Sequence, residues 1–326
     1  MMLFDAHLDL AYNAVRGRDL LRPADAQTPD ADGIPSVGLP DLQAAEVRWL
    51  CGTIFVEPAS DRCKGGYRTP DEAHLAAVGQ LDWYQDRFAA ADLRLIRSAA
   101  DLAAEPVPGV ILLMEGADPI RHEEDLQRWH AAGLRAVGLA WRKTRLAGGT
   151  GQSGGLSEEG RRLLRHLDAR GIIHDASHLA EQAFWELLEQ SAGPVMASHS
   201  NCRALVPTDR QLSDDMIRAI ARRGGVIGIN LFGRFLTPPD APRRATLDDV
   251  VVHLRHVCEV LGNARHVGIG SDMDGGFGAD HLPVGVRTHR DLSRLAERLV
   301  RSGFTDAEVR DIFCENWLRF FRSCLP

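Results

Sequence analysis

Along the chain, short runs rich in Val, Ile and Leu alternate with longer stretches whose apolar residues repeat at intervals of three and four. The first pattern suits strands buried on both faces and the second suits helices with one apolar side, which together describe a parallel sheet covered by helices. Eight runs read as strands, at 3–7, 49–56, 110–114, 135–140, 172–175, 195–198, 226–230 and 267–270, and a further run at 93–96 reads as an extra strand outside the main sheet. Helices are expected at 70–91, 123–132, 158–170, 181–189, 214–223 and 247–261, with two more at 290–301 and 306–322. Alternation sustained from end to end favours a closed α/β fold, the (β/α)8 TIM barrel, over an open doubly wound sheet. No linker or shift of composition divides residues 1–326, so a single domain is expected.

Pro and Gly cluster in three longer connections, 21–40, 58–69 and 233–245. Each follows the C-terminal end of a strand, the barrel face on which binding loops sit. The glycine-rich stretch 147–155 lacks the Gly-Lys-Ser/Thr ending that would touch phosphate and metal, so it reads as a loop covering a substrate.

Composition narrows the class further. With 326 residues, 44% hydrophobic and 25% charged, the chain is an ordinary globular protein and not a collagen-like, disordered or coiled-coil one. The net charge of −7 comes from 45 acidic against 38 basic residues, and the basic ones are scattered, which leaves no footprint for nucleic acid. No apolar run approaches the roughly 18 to 20 residues needed to cross a bilayer, and the start lacks the basic stretch and apolar core of a signal peptide. A cytoplasmic location without membrane contact is therefore expected. Six cysteines without a C-x-x-C pair read as free thiols. Lysine occurs only at Lys64 and Lys143.

Acids and histidines recur where strands stop. His7 and Asp9 end the first strand, and their spacing of two puts both on one side of an extended chain, where they can face one ion. Glu115 follows the apolar run 110–114, a costly place for a carboxylate unless it is paired or bound to metal; Arg121 or a helix cap is the plainer alternative. His178 and His199 follow the fifth and sixth strands, and Asp272 ends the eighth, with Asp274 two residues on. A barrel gathers such ends around one mouth. His74, His122, His130, His166, His253 and His256 fall in helices instead and are expected at the surface. The five groups His7, Asp9, Glu115, His178 and His199 exceed what one open catalytic zinc uses, so two ions bridged by Glu115 are expected, with hydrolysis as the chemistry. Of His174 and Asp175 at most one faces the interior, and Asp175 is either a partner that orients a ligand histidine or a helix cap.

The blocks Asp5-Ala6-His7-Leu8-Asp9, Met114-Glu115-Gly116, Asp175-Ala176-Ser177-His178, Ser198-His199-Ser200-Asn201, 209–215 and 268–275 run in one order over nearly the whole chain. Together they resemble the renal (membrane) dipeptidase family, peptidase family M19, of the amidohydrolase-like metal-dependent barrels. The resemblance implies a binuclear zinc site, with His7, Asp9 and Glu115 on one ion and Glu115, His178 and His199 on the other. It implies a dipeptide substrate, including the L-Xaa-D-Xaa type, attacked by a hydroxide held between the metals. Asp272 matches the family's catalytic acid/base, and Arg210 matches the arginine that binds the free C-terminal carboxylate of the dipeptide. Family members are often dimers, which leaves a homodimer open here.

One position departs from the family. A histidine at the end of the fourth barrel strand reaches the carbonyl oxygen in well-studied members, and Trp141 stands in its place as a substrate-binding candidate. Arg142, Lys143 or Arg145 are available to supply the missing charge. Two other readings stay open at this stage: hydrolysis of another amide, a lactone or an ester, with Lys143 near the position of the carbamylated lysine that bridges metals in related barrels, or a metal-binding barrel without catalysis.

Overall fold

A computed structural model describes every residue of the chain except 61, 62, 143 and 239. The described strands are β1 (Leu3–Leu8), β2 (Val47–Phe55), β3 (Arg94–Leu95), β4 (Gly109–Glu115), β5 (Leu134–Gly138), β6 (Ala147–Gly149), β7 (Gln152–Leu156), β8 (Ile173–Asp175), β9 (Val195–Met196), β10 (Ile227–Ile229) and β11 (Val267–Ile269). Eight of them pair in parallel in the order β10-β11-β1-β2-β4-β5-β8-β9. A parallel bridge between Ala197 and Ile227 joins the two ends of that order. There the Ala197 N–H donates to the Val226 carbonyl at 3.0 Å, and the Gly228 N–H to Ala197 at 2.8 Å. The TIM barrel expected from the sequence is thus present, with β3 paired to β4 outside it.

Every residue of β1 and of β4 is buried, as strands enclosed by an inner core and an outer helix layer must be. The helices turn matching faces inward. Ser157 caps the helix Glu158–Asp168 through the Gly160 N–H, and Leu163, Leu164 and Leu167 of that helix are buried. Ser213 does the same for Asp214–Arg222, which buries Met216, Ile217, Ala219 and Ile220. From the C-terminal helix Asn316–Cys324, Trp317 donates to the Ile269 carbonyl at 3.0 Å and Phe321 stacks on Phe4 with ring centres 5.2 Å apart.

Several expectations are refined. The stretch 147–155 is not an open loop; it folds into the antiparallel hairpin β6–β7. Short helices Leu10–Val15 and Leu39–Ala44 follow the first strand and the 21–40 connection. A π-type turn at Asp311–Glu315 interrupts the helix expected at 306–322. Among the described residues, no helix is long and apolar enough to cross a membrane.

His253, expected at the surface, is wholly buried. Its Nδ1 accepts from the Cys202 N–H at 3.2 Å and its Nε2 faces the Leu236 carbonyl at 3.3 Å, a pairing that suits the neutral ring with its hydrogen on Nε2. Burial lowers its pKa to about 4 from an ordinary 6.5. The unfolded chain therefore takes up this proton first as pH falls, and stability that is complete above about 6.5 declines until the folded ring titrates near 4. The loss is of order 3 kcal/mol. Urea unfolding of metal-free protein should accordingly lose less stability between pH 7 and pH 4.5 in a His253→Asn variant than in the wild type. Parallel losses in the two proteins would refute the assignment.

Candidate metal centre and active site

Five strand ends deliver the predicted groups to one mouth. β1 carries His7 and leads to Asp9, β4 ends at Glu115, β8 leads to His178, β9 to His199, and β11 to Asp272. The pairing register between β1 and β2 shifts between Asp5 and Leu8. Strict alternation would put Phe4 and Ala6 on one face of the strand and His7 and Asp9 on the other. Phe4 and Ala6 pack into the same buried cluster as Trp49 and Ile111, yet His7 and Asp9 also reach the centre, so the irregularity re-aims the strand's last residues. His178 and Asp272 hold the left-handed backbone region, at φ 68° and 58°, which turns each side chain inward directly after its strand.

Glu115 lies at the middle of the constellation. Its Oε1 is 3.0 Å from His178 Nε2 and 3.4 Å from His199 Nε2, while its Oε2 is 3.6 Å from His7 Nε2. The ligand atoms of Glu115, His178 and His199 lie within 4.8 Å of one another, as do those of His7, Asp9 and Asp272. Arg121, the plainer partner for Glu115, pairs instead with Asp71 and Asp125. Asp274 turns away from the centre, its carboxylate held by Arg18, Ser36 and the Val37 N–H.

Electrostatically the cluster is short of positive charge. Burial works against a charged His7, but Glu115, with Asp9 and Asp272, pushes its pKa up to about 10. Burial and the Arg210 charge pull His178 down to about 4, and burial, His7 and Arg210 hold His199 well below the ordinary imidazole range. Burial raises Asp9 to about 6 and Asp272 to about 8. Glu115 is buried too, yet His7 and His178 keep its carboxyl well below the usual carboxylate range. His7 Nε2 and Glu115 Oε1 are buried without a hydrogen bond, and His178 Nε2 faces His199 Nε2 at 2.9 Å. Unpaired nitrogen and oxygen lone pairs converging in this way fit divalent cations of the zinc type.

Around the centre, neutral groups hold the ends of these side chains. Thr53 of β2 donates to Asp9, and the Thr150 hydroxyl meets His178 Nδ1 at 2.9 Å. Asn230 donates to Asp272 Oδ2 at 2.8 Å. A side chain at Gly275 would run into Asp272 Oδ1, so glycine there keeps room for the carboxylate. Arg210 is buried beside the centre and donates to Ser200 Oγ at 3.0 Å and to the His199 carbonyl at 2.6 Å, while its Nε has no partner.

The family model for membrane dipeptidases (Peptidase family M19) matches residues 1–324. The chain belongs to this family. The "uncharacterized protein in pqqA 5'region" of Klebsiella pneumoniae is 33% identical over 246 residues, covering 71% of this chain and 89% of its own. Dipeptidase tcpJ of Claviceps purpurea is 31% identical over 301 residues, covering 85% of this chain and 67% of its own. Among solved structures, a Rhodobacter sphaeroides metallo peptidase liganded with a phosphinate mimic of the dipeptide L-Ala-D-Ala superposes with a TM-score of 0.86 at 26% identity, over 99% of both chains.

This M19 chain keeps its tryptophan at the rim of the site. The Trp141 ring lies 5.2 Å from Phe55 and 6.2 Å from His178, centre to centre, and Arg142 sits over its face at 5.2 Å. Arg145 is engaged elsewhere, with Glu159 and the Ile120 carbonyl. Lys143 lies outside the described residues. Of the pair His174 and Asp175, the histidine points outward to Asp168 at 2.6 Å and the aspartate inward to Ser198 at 2.5 Å. Thr53, Thr150, Ser198 and Asn230 hold these side chains without being ligands themselves. Only Ser198 carries a signal in the sequence, its place next to His199.

Proposed function

We propose that this protein is a zinc-dependent dipeptidase that hydrolyses the peptide bond of free dipeptides, those of the L-Xaa-D-Xaa type among them. The observation that carries the reading is the division of Glu115, one oxygen toward His7 and the other toward His178 and His199. In this reading His7, Asp9 and Glu115 hold one ion, and Glu115, His178 and His199 hold a second. Two such ions supply an acidified water and a polarised carbonyl. The family match and the dipeptide mimic on the Rhodobacter relative support the substrate class.

The chain's own groups then have distinct tasks. Asn230 occupies Oδ2 of Asp272, so proton transfer falls to Oδ1. Burial favours the protonated form of the Asp272 carboxyl, which suits a group that takes a proton and returns it to the departing amine, as a general base and then acid does. Arg210, with a buried and unpartnered Nε, receives the free C-terminal carboxylate. Trp141 and Phe55 form an apolar wall against the substrate's side chain. The same reading takes the enzyme to work in the cytoplasm, in keeping with six cysteines that are all free, and as a homodimer, as its family often does.

The test is hydrolysis of L-L and L-D dipeptides by zinc-loaded protein, each with a free or an amidated C-terminus. Free dipeptides should be cleaved ~10²-fold or more faster than amidated ones, the scale on which a buried charge pair matters when one partner is removed, and Arg210→Met should erase the difference. Equal rates on both would remove Arg210 from the role. No turnover from protein that carries two ions would favour another amide, a lactone or an ester as substrate.

A further inference from the structure

Ser198 is wholly buried and its hydroxyl meets three strong partners at once. Its Oγ lies 2.5 Å from Asp175 Oδ2, 2.7 Å from His199 Nδ1 and 3.0 Å from His7 Nδ1, with the Ser177 hydroxyl farther off at 3.4 Å. A serine hydroxyl has one hydrogen to give and two lone pairs with which to accept. Asp175 also takes the Ser177 and Ser198 N–H groups on Oδ1, at 3.0 and 2.9 Å, so it acts as an acceptor throughout. The single serine hydrogen therefore goes to Asp175, and both imidazoles must donate to the serine oxygen.

We infer that Ser198, oriented by Asp175, fixes the hydrogen of both His7 and His199 on Nδ1 and so presents both Nε2 lone pairs to the centre. The two rings belong to different ions in the reading proposed above, on which this inference rests. One hydroxyl thus serves both metal positions. His178 Nδ1 faces a separate hydroxyl, that of Thr150 on the hairpin turn, at 2.9 Å. Ser198 and Asp175 are positioning residues: Ser198 touches two ligands, and Asp175 acts on them through it. The pairing also accounts for a buried carboxylate under the metal site that no ligand role uses.

Two variants separate this from a packing role. Asp175→Asn keeps the shape but turns an N–H toward Ser198, which drives the serine hydrogen onto one of the imidazoles and denies that ring its Nδ1–H donation. Ser198→Ala removes the acceptor altogether. Competition with a chelator should show both zinc-binding steps weakened ~10- to 100-fold in Ser198→Ala and one step weakened on that scale in Asp175→Asn, the usual scale for groups that orient metal ligands. Thr150→Val should weaken only one step. If Ser198→Ala weakens one step alone, or if Asp175→Asn binds zinc like the wild type, the inference is wrong. Long-range proton–nitrogen NMR of the metal-free wild type gives a readout independent of metal or substrate. It should find an Nδ1–H on both His7 and His199 that is protected from exchange and loses that protection in Ser198→Ala, and a bare Nδ1 on either ring, or protection unchanged in Ser198→Ala, overturns the inference even if dipeptide hydrolysis is confirmed. If the protein binds no zinc, the proposed function fails while the NMR result still decides this point.

Discussion

Replacing Glu115 by alanine is expected to empty both metal positions and to lower dipeptide hydrolysis by ~10³-fold or more, since the ions supply several kcal/mol of charge stabilisation in the transition state. Glu115 reaches both halves of the centre, with Oε1 3.0 Å from His178 and Oε2 3.6 Å from His7. Glu115→Gln should behave differently. The amide keeps one oxygen and puts an NH2 group where the other was, so one half of the centre retains a carbonyl ligand and the other faces a donor. Elemental analysis should therefore find close to two ions per chain in the wild type, about one in Glu115→Gln, and close to none in Glu115→Ala. Circular dichroism should show the same secondary structure in all three, because Glu115 ends its strand and does not support the apolar core. Lys143→Ala is the control for the rival arrangement, in which a modified lysine bridges the metals. Loss of both ions in Lys143→Ala, with retention in Glu115→Ala, would overturn the ligand assignment.

The metal ligands were legible in the sequence because a parallel barrel converts position along the chain into position in space. Each apolar run must end at the same face, so His7, Glu115, His199 and Asp272 needed no long-range information beyond the strands that carry them. What holds those side chains was hidden for the converse reason. Ser198, Thr150, Thr53 and Asn230 are neutral and common, and their roles depend on which partner approaches across the mouth. The same holds for Asp5, whose buried partner His289 is 284 residues away, at 2.7 Å, from a short turn that no periodicity announces. His253 was misplaced because a helix of alternating apolar and polar residues does not reveal which of its polar groups finds a partner inside. The hairpin at 147–156 escaped detection because glycines carry no side-chain alternation; its shape depends on tethers to Leu179, Asp209 and Glu186.

Trp141→His is expected to raise kcat for simple dipeptides by ~10²- to 10³-fold, the range measured when one oxyanion donor is gained or lost. The family's histidine reaches the carbonyl oxygen from this position, and an indole N–H is a weaker donor with no charge. The surroundings leave room for the exchange. Gly116 presents only its Cα toward the Trp141 backbone, and a ring smaller than indole would still sit between Phe55 and His178. Loss of the Phe55–Trp141 wall should at the same time raise KM for substrates with large apolar side chains, so the gain in kcat/KM shrinks as the side chain grows. A rise in kcat alongside the rise in KM separates a restored donor from a site that has merely become wider, in which KM alone would rise. If kcat stays unchanged in Trp141→His, the charge already comes from another group. Arg142, which lies over the indole at 5.2 Å, is then the residue to remove, and Arg142→Gln in the wild type should lower kcat by a comparable factor. An enzyme indifferent to both substitutions would rely on its metals alone to stabilise the oxygen, and Trp141 would then act through substrate choice.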